Sequence, residues 1–128
     1  MQHLATALFL VAAAINLAPA AGAVAPERMA ALYGLALDDP NLEILMRHRA
    51  VLFGIVGGFM VVAALHHPFR AAAYVAGFAS MLSFLLVAWD VGGYSEQIRR
   101  VAIVDLVGIA SLAGAGIIQL LSRSSADQ

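Results

Sequence analysis

Four long apolar stretches, separated by short polar connections, dominate the sequence. A membrane-spanning helix needs roughly 20 predominantly apolar residues, and each stretch is close to that length. The chain is 62% hydrophobic and 12% charged, whereas a soluble domain typically carries about 25% charged residues. These ionic side chains are too few to cover a globule in water. We therefore predict four membrane-spanning helices, at about residues 3–24, 42–65, 69–91 and 97–121.

Proline and glycine mark where the connections between these spans begin and end. Pro40 and Pro68 are expected to begin the second and third spans, and Gly92 to end the third. Because the connections are short, consecutive spans run antiparallel. The predicted fold is an all-α, integral membrane four-helix up-down bundle. It forms a single transmembrane domain over residues 1–128 and ends in a polar tail at 122–128.

A short amphipathic segment separates the first two spans. Pro26 precedes it and Gly34 follows it, which predicts an interfacial helix over about residues 26–33. Its apolar side chains fall on one face, so the helix is expected to lie in the membrane interface. The residues on that face are Met29, Leu32 and Tyr33.

The first apolar stretch has a second interpretation, as a cleavable signal peptide. Small-residue sequences that resemble cleavage sites follow Leu17. The segment before the stretch, however, carries no Lys or Arg, and Asn16 interrupts the apolar run. We therefore expect a retained first span.

Small residues recur at four-residue spacing within the spans. This pattern allows close helix approach, which is how membrane helices gain packing without a hydrophobic driving force. We predict that the helices meet at these positions. The residues are Ala50, Gly54 and Gly58 in the second span, and Ala73 with Gly77 or Ala76 with Ser80 in the third.

Each span contributes one polar residue near the same membrane face: Asn16, Arg49, Asp90 and Asp105. At 1.5 Å per residue, Asp105 lies roughly 10 Å deep and Asn16 roughly 12 Å deep. An unpaired carboxylate inside a span is costly, so we predict a polar cluster in which Arg49 and Asp105 form an ion pair. Three roles stay open: a structural pair that fixes helix register, a ligand cavity, or an interface with another membrane protein.

The candidate ligand-binding residues extend beyond this cluster. They are Arg49, Asp105, Asn16, Asp90, Arg47, His48, Tyr94 and Trp89, and Asp105 is also the candidate catalytic acid or base. Adjacent His66 and His67 would point about 100° apart on a helix and cannot form a same-face metal pair. We predict no metal site and no cofactor, with haem ligation by these residues and His3 kept as an alternative.

Charge and composition exclude some partners. The net charge is −1 and there is no cysteine, so the chain offers neither a basic surface for nucleic acid nor thiolate chemistry. Arginines concentrate on the side that holds the interfacial helix, and by the positive-inside rule that side would be cytoplasmic. These arginines are Arg28, Arg47, Arg49, Arg99 and Arg100, against Arg70 and Arg123 on the other side.

Several segments resemble a family of small bacterial four-helix membrane proteins that are DoxX-like in architecture. These segments are Ala31–Gly34, Asn41–Glu43, Arg47–Gly54, Ser83–Leu85, Gly92–Tyr94 and Arg99–Val101 with Asp105. The resemblance covers most of the chain. It implies the four-helix fold and a multi-pass protein of the bacterial inner (cytoplasmic) membrane, and it supplies no activity.

Three functions are compatible with these features. The first is binding of a lipid or other apolar small molecule in an intrabundle cavity, with a polar end formed by Arg49, Asp105, Asn16 and Asp90. The second is a small membrane enzyme of the isomerase or hydrolase type that uses Asp105 as acid or base. The third is an accessory subunit, or a homo-oligomer, whose polar layer meets a membrane protein partner within the lipid bilayer.

Overall fold

The computed structural model describes residues 1–124, which are helical apart from short connections. The helices are α1 (Gln2–Leu17), α2 (Pro26–Tyr33), α3 (Pro40–Leu65), α4 (Arg70–Val91) and α5 (Glu96–Ser124). Short 3-10 helices continue α1 over Ala18–Ala23 and precede α4 over His67–Phe69. The predicted all-α architecture is confirmed, although α5 extends into the predicted tail. Residues 125–128 of that tail lie outside the described residues.

Four helical stretches are long and apolar enough to cross a membrane: Gln2–Ala23, Pro40–Leu65, His67–Val91 and Glu96–Ser122. The protein is therefore a multi-pass membrane protein. Helix α1 packs against α3 and α5, and α4 packs against the same two helices. Helices α3 and α5 occupy opposite corners, since within residues 1–124 no Cα of one lies within 8 Å of a Cα of the other.

This up-and-down arrangement gives the bundle two distinct ends. One end, which we call the α2 end, holds α2, the start of α3 and the connection between α4 and α5. The other end, which we call the α3–α4 end, holds the start of α1 and the connection between α3 and α4. Local capping explains the boundaries at the α2 end. The Asp39 carboxylate accepts a hydrogen bond from the Asn41 backbone N–H at 2.9 Å, and Pro40 begins α3.

Close packing of α1 against α3 depends on Gly57 rather than on Gly58. A Cβ at Gly57 would lie 2.8 Å from the backbone nitrogen of Leu17, whereas a Cβ at Gly58 would have no neighbour within 4 Å. The prediction for Gly58 was wrong because consecutive helical residues point about 100° apart, and α1 lies on the Gly57 side. Gly77 is buried between Met60 and Leu112, as the spacing predicted.

Helix α2 packs onto the end of the bundle. Met29 and Tyr33 are each only 2% exposed and contact a small cluster that includes Ala50. Leu32, the third residue of the predicted apolar face, is exposed and does not join this cluster. Gly34 ends the helix in the left-handed conformation (φ 65°), which glycine adopts without strain. Helix α2 therefore holds the Tyr33 ring in a fixed position over the α2 end.

Candidate functional site: a groove beside Arg49

Three aromatic rings surround the guanidinium group of Arg49. Its Cζ atom lies 5.1 Å from the ring centroid of Tyr33, 5.2 Å from that of Phe53 and 5.1 Å from that of Phe84. These rings come from α2, α3 and α4, so three elements converge on one cation. Cation–π contacts form within about 6 Å and contribute roughly 0.5–2 kcal/mol each. The rings therefore fix the guanidinium group in place.

Among the described residues, Arg49 has no hydrogen-bond acceptor of its own. Within residues 1–124, its guanidinium group makes no hydrogen bond and no ion pair. An arginine carries five N–H donors, and the apolar part of a membrane supplies no water to satisfy them. Aromatic faces attract the cation but leave these donors without a strong acceptor. Arg49 thus retains the capacity to bind an anion or a carbonyl oxygen.

A cavity of about 460 Å³ lies beside Arg49, between α3 and α4. We call it the Arg49 groove. Its wall is mostly apolar, and several wall residues, including Leu52 and Val87, are exposed on the outer surface of the bundle. The groove is therefore open sideways and is not the enclosed intrabundle cavity that was expected. Its lining consists of Arg49, Leu52, Phe53, Val56, Ser80, Ser83, Phe84, Val87, Ala88, Val91, Tyr94 and Ile98.

The groove runs along the axis of α4. From Val91 to Ser80 it covers roughly 16 Å, at 1.5 Å per helical residue. Arg49 contacts Phe84, which lies between these two positions. The groove thus has a cationic group along its length and apolar side chains on both sides of it. Its volume falls within the range of about 300–1,000 Å³ that is typical of small-molecule sites.

Asp105 and Asn16 are buried but do not line this groove. They are 8% and 2% exposed, on α5 and α1 respectively. The Asn16 amide nitrogen donates to the Ala12 carbonyl at 3.1 Å, while its Oδ1 atom is buried without a partner in the described part of the chain. Both residues therefore belong to the interior between α1 and α5.

The predicted ion pair between Arg49 and Asp105 is not formed. No nitrogen of Arg49 lies within 4.0 Å of an Asp105 oxygen in the described structure. The physical reason is the bundle order, because α3 and α5 stand at opposite corners and the Cα atoms of the two residues are more than 8 Å apart. Arg49 meets aromatic rings of its neighbouring elements instead.

Tyr33 lies within the electric field of both residues. Burial raises the pKa of its phenol above the ordinary value, the Arg49 charge lowers this pKa, and the Asp105 charge raises it. Burial is the largest of the three effects. Tyr33 therefore remains a neutral phenol at physiological pH, and its titration reports on the charges at the α2 end.

Arg47 and His48 point away from the groove. The Arg47 Nε atom donates to the Ala23 carbonyl at 2.9 Å, and its Nη1 atom lies 3.3 Å from Glu43. Arg47 thus holds the end of the first span against α3. His48 is exposed, and neither residue lines the groove. Of the three consecutive candidate residues on this turn of α3, only Arg49 therefore faces the groove.

The candidates near the end of α4 also separate. Tyr94 lines the groove, while Trp89 is 82% exposed and does not. Asp90 is exposed as well, so it is not part of a buried polar layer. Of these three residues, only Tyr94 lines the groove together with Arg49. The predicted layer of four polar groups is thus reduced to two buried residues in the interior and one cation beside a groove.

A second arginine caps a helix at the α3–α4 end. The Arg70 Nε atom donates to the Ala63 carbonyl at 3.3 Å, and its Nη2 atom donates to Ala64 at 2.9 Å and to the Thr6 hydroxyl at 3.3 Å. These carbonyls belong to the last turn of α3, which has no helical partners for them. Arg70 therefore joins the ends of α1, α3 and α4.

The two adjacent histidines of the chain also lie at this end. Adjacent His66 and His67 are both exposed. In the part of the chain that the structure describes, no group of three or more His, Asp or Glu residues could hold a metal ion.

Sequence reasoning missed most of the aromatic residues around Arg49. Phe53 follows Arg49 by four residues and so shares its helix face, a signal that could have identified this contact. Phe84 and Ser80 are on another helix, and only the tertiary arrangement brings them to Arg49 or to the groove. Tyr33 was placed on the buried face of α2, but its contact with a cation was not predicted.

Comparison with known proteins identifies no relative from which a function could be inferred. The chain matches no family model, no curated protein and no solved structure. The similarity of its motifs to DoxX-like membrane proteins therefore stays a prediction.

Proposed function

We propose that this protein binds an anionic lipid, or another anionic apolar small molecule, in the Arg49 groove. One observation carries the proposal. Arg49 is held by three aromatic rings, has no hydrogen-bond acceptor among residues 1–124, and faces an apolar groove that opens toward the surrounding lipid.

The chemistry of the guanidinium group favours a carboxylate or a phosphate. Its planar N–H donors match the two oxygens of such a group, and charge-assisted hydrogen bonds are about twice as strong as neutral ones. The three aromatic rings supply no strong hydrogen-bond acceptor, so the N–H donors of the guanidinium group are available to such a group. The low dielectric constant of the membrane further strengthens the attraction.

The apolar wall has a different role from that of Arg49. Lipid tails are as apolar as the groove, so moving a tail from the bilayer into the groove yields little hydrophobic free energy. The wall therefore accepts many tails, and the head group determines which molecules bind. Entry from the side, through the opening between α3 and α4, requires no passage through water.

The resemblance to DoxX-like proteins supports a location in the bacterial cytoplasmic membrane as part of this proposal. The positive-inside rule would then place the α2 end, with its five arginines, in the cytoplasm. In this arrangement the Arg49 groove opens into the cytoplasmic leaflet. Asp105, the candidate acid or base of the isomerase or hydrolase alternative, does not line the groove.

The proposal is tested by purifying the full-length protein from native membranes in a mild detergent and recording its native mass spectrum. We expect one anionic amphiphile per chain, which the Arg49→Gln variant loses. The Val87→Trp variant keeps Arg49 but fills the groove, so it should also lose the molecule. Val87 is 61% exposed, so this change does not disturb the core.

Three results would overturn the proposal. The wild-type protein might carry no small molecule, or the Arg49→Gln variant could retain it at full occupancy. The protein could also purify empty together with a second polypeptide, which would support the accessory-subunit hypothesis. Far-ultraviolet circular dichroism of each variant shows whether it is folded before occupancy is compared.

A further inference from the structure

We infer that the Arg49 groove selects an anionic acyl lipid whose carbonyl oxygen lies deeper in the bundle than its acidic group, and that the Ser80 hydroxyl donates a hydrogen bond to this carbonyl. The inference rests on the proposed function, since it concerns the same groove. It adds the class of lipid and a second polar contact to the contact with Arg49.

The Ser80 hydroxyl has no hydrogen-bond partner in the described structure. Serines inside membrane helices commonly donate to a carbonyl of the preceding turn. Ser83 donates to the Ser80 carbonyl at 3.0 Å, and Ser122 donates to the Ile118 carbonyl at 2.8 Å. Ser80 instead lines the groove, and within the described residues no backbone carbonyl accepts a hydrogen bond from its hydroxyl. A bound molecule with an acceptor oxygen would satisfy it.

The depth of Ser80 in the bundle, relative to Phe84, follows from the helix. Ser80 and Phe84 are four residues apart on α4, so they share one face and are separated by roughly 6 Å along the axis. The Phe84 ring contacts the Arg49 guanidinium group. Because α4 ends at Val91 on the Arg49 side, Ser80 lies one turn deeper in the bundle than Phe84. The groove thus offers a cation and, one turn deeper, a neutral donor.

An acylglycerol phosphate has matching chemistry. Its phosphate would bind Arg49, the ester carbonyl would accept from Ser80, and the acyl chain would continue along the apolar wall near Val56. A simple fatty acid has the acidic group but lacks a separate carbonyl oxygen that could accept from Ser80. An ether-linked glycerol phosphate keeps the phosphate and the chain but has no carbonyl.

The ester and ether forms therefore provide a test that isolates the carbonyl. The full-length protein in detergent is mixed with equal amounts of 1-acyl and 1-O-alkyl glycerol phosphate of the same chain length, and native mass spectrometry measures the bound ratio. We expect the wild-type protein to prefer the ester about fivefold, the effect of one neutral hydrogen bond. The Ser80→Ala variant should bind both forms equally.

A matched control removes a membrane serine that lies outside the groove. Ser122→Ala deletes a hydroxyl of α5 that donates within its own helix, so it should keep the fivefold preference. Equal binding of both forms to the wild-type protein would overturn the inference and leave the proposed function standing. An ester preference that survives in Ser80→Ala would overturn it too. Failure of both forms to bind, or binding that survives Arg49→Gln, would instead overturn the proposed function.

Discussion

Arg70 at the α3–α4 end and Arg49 at the α2 end meet their surroundings in different ways. Arg70 donates three hydrogen bonds, two of them to carbonyls that end α3. Arg49 contacts three aromatic rings and, within residues 1–124, no acceptor atom. The first arrangement engages the Nε and Nη2 atoms of the cation within the protein. The second fixes the cation and leaves its donors for another molecule.

This difference shows how a membrane bundle can use the same side chain in two roles. A cation in a span must be satisfied by the protein, by water or by lipid. Where helix ends present unpaired carbonyls, the arginine becomes part of the fold. Where only aromatic faces surround it, beside an open groove, it is available for binding. The environment of each donor, and not the burial of the residue, distinguishes the two roles.

The largest expected effect is the loss of stability on removing Arg70. Arg70→Met leaves the Ala63 and Ala64 carbonyls without their donor, and hydrogen bonds to charged groups contribute about 1.5–3 kcal/mol each. We therefore expect the free energy of unfolding to fall by about 3 kcal/mol. Denaturant titration in one detergent, followed by circular dichroism, measures this change. Occupancy of the Arg49 groove in the folded fraction should stay unchanged.

The matched variant at the other end is Arg49→Met. It removes three cation–π contacts but also removes a charge from the membrane, and these effects oppose each other. We expect the free energy of unfolding to change by less than about 1 kcal/mol, while the bound amphiphile is lost. A loss of stability as large as that of Arg70→Met would show that Arg49 also stabilises the fold. The proposed difference between the two arginines would then be wrong.

A smaller effect is expected when the charge at Arg49 is kept but its shape is changed. Lysine has no planar group to stack on Tyr33, Phe53 and Phe84, and it cannot bind two oxygens of one acid side by side. Arg49→Lys should therefore bind the anionic amphiphile about tenfold more weakly, or roughly 1.4 kcal/mol. Titration monitored by native mass spectrometry provides the measurement. Unchanged affinity would mean that the charge alone is recognised.

Much of the fold could be predicted from the sequence because the membrane restricts what can form. Apolar length and proline positions located all four spans to within a few residues. Helix ends depend on local chemistry, which a sequence displays directly, as Asp39 with Pro40 illustrates. Side-chain direction was harder. Gly58 was predicted at a helix contact but has no neighbour there, because nothing local indicates which helix face meets α1.

The candidate site could be predicted only in part. Arg49 was identified because its charge interrupts an apolar helix, a local signal. Its partner was not, since a pair with Asp105 assumes that α3 and α5 are neighbours, and they occupy opposite corners. Phe84 carries no polar signal and appears as an ordinary apolar residue of α4. Sequence patterns thus located the cation, but only the order of the helices determined what surrounds it.

Helix α2 provides a further test of the α2 end, because it carries the Tyr33 ring. Gly34→Ala should destabilise the protein by about 1 kcal/mol, since alanine is strained at φ 65° and its Cβ would lie 2.9 Å from the Gln97 side chain. Asparagine tolerates the left-handed conformation better, so Gly34→Asn should lose less. Thermal unfolding of both variants in detergent measures the difference. Equal losses would indicate that crowding by Gln97, rather than backbone strain, dominates.

The smallest expected effect is a shift in the titration of Tyr33. With Tyr74 and Tyr94 replaced by phenylalanine, the ultraviolet absorbance of the remaining phenol follows its ionisation. Burial raises the pKa of Tyr33 above its ordinary value, so the midpoint of its ionisation should lie above about pH 10. Arg49→Met should raise this pKa further by removing a positive charge, and Asp105→Asn should lower it by removing a negative one.

The same shift predicts how stability depends on pH at the α2 end. A phenol whose pKa is higher in the folded than in the unfolded state stabilises the fold fully below the unfolded value of about 10. That contribution is lost as pH rises above this value toward the folded pKa, because the unfolded chain releases its proton first. Tyr33→Phe should remove this part of the alkaline loss of stability. If neither Arg49→Met nor Asp105→Asn shifted the pKa of Tyr33, the charges of these two residues would not act on its phenol. The electrostatic link between Asp105 and the α2 end would then be wrong.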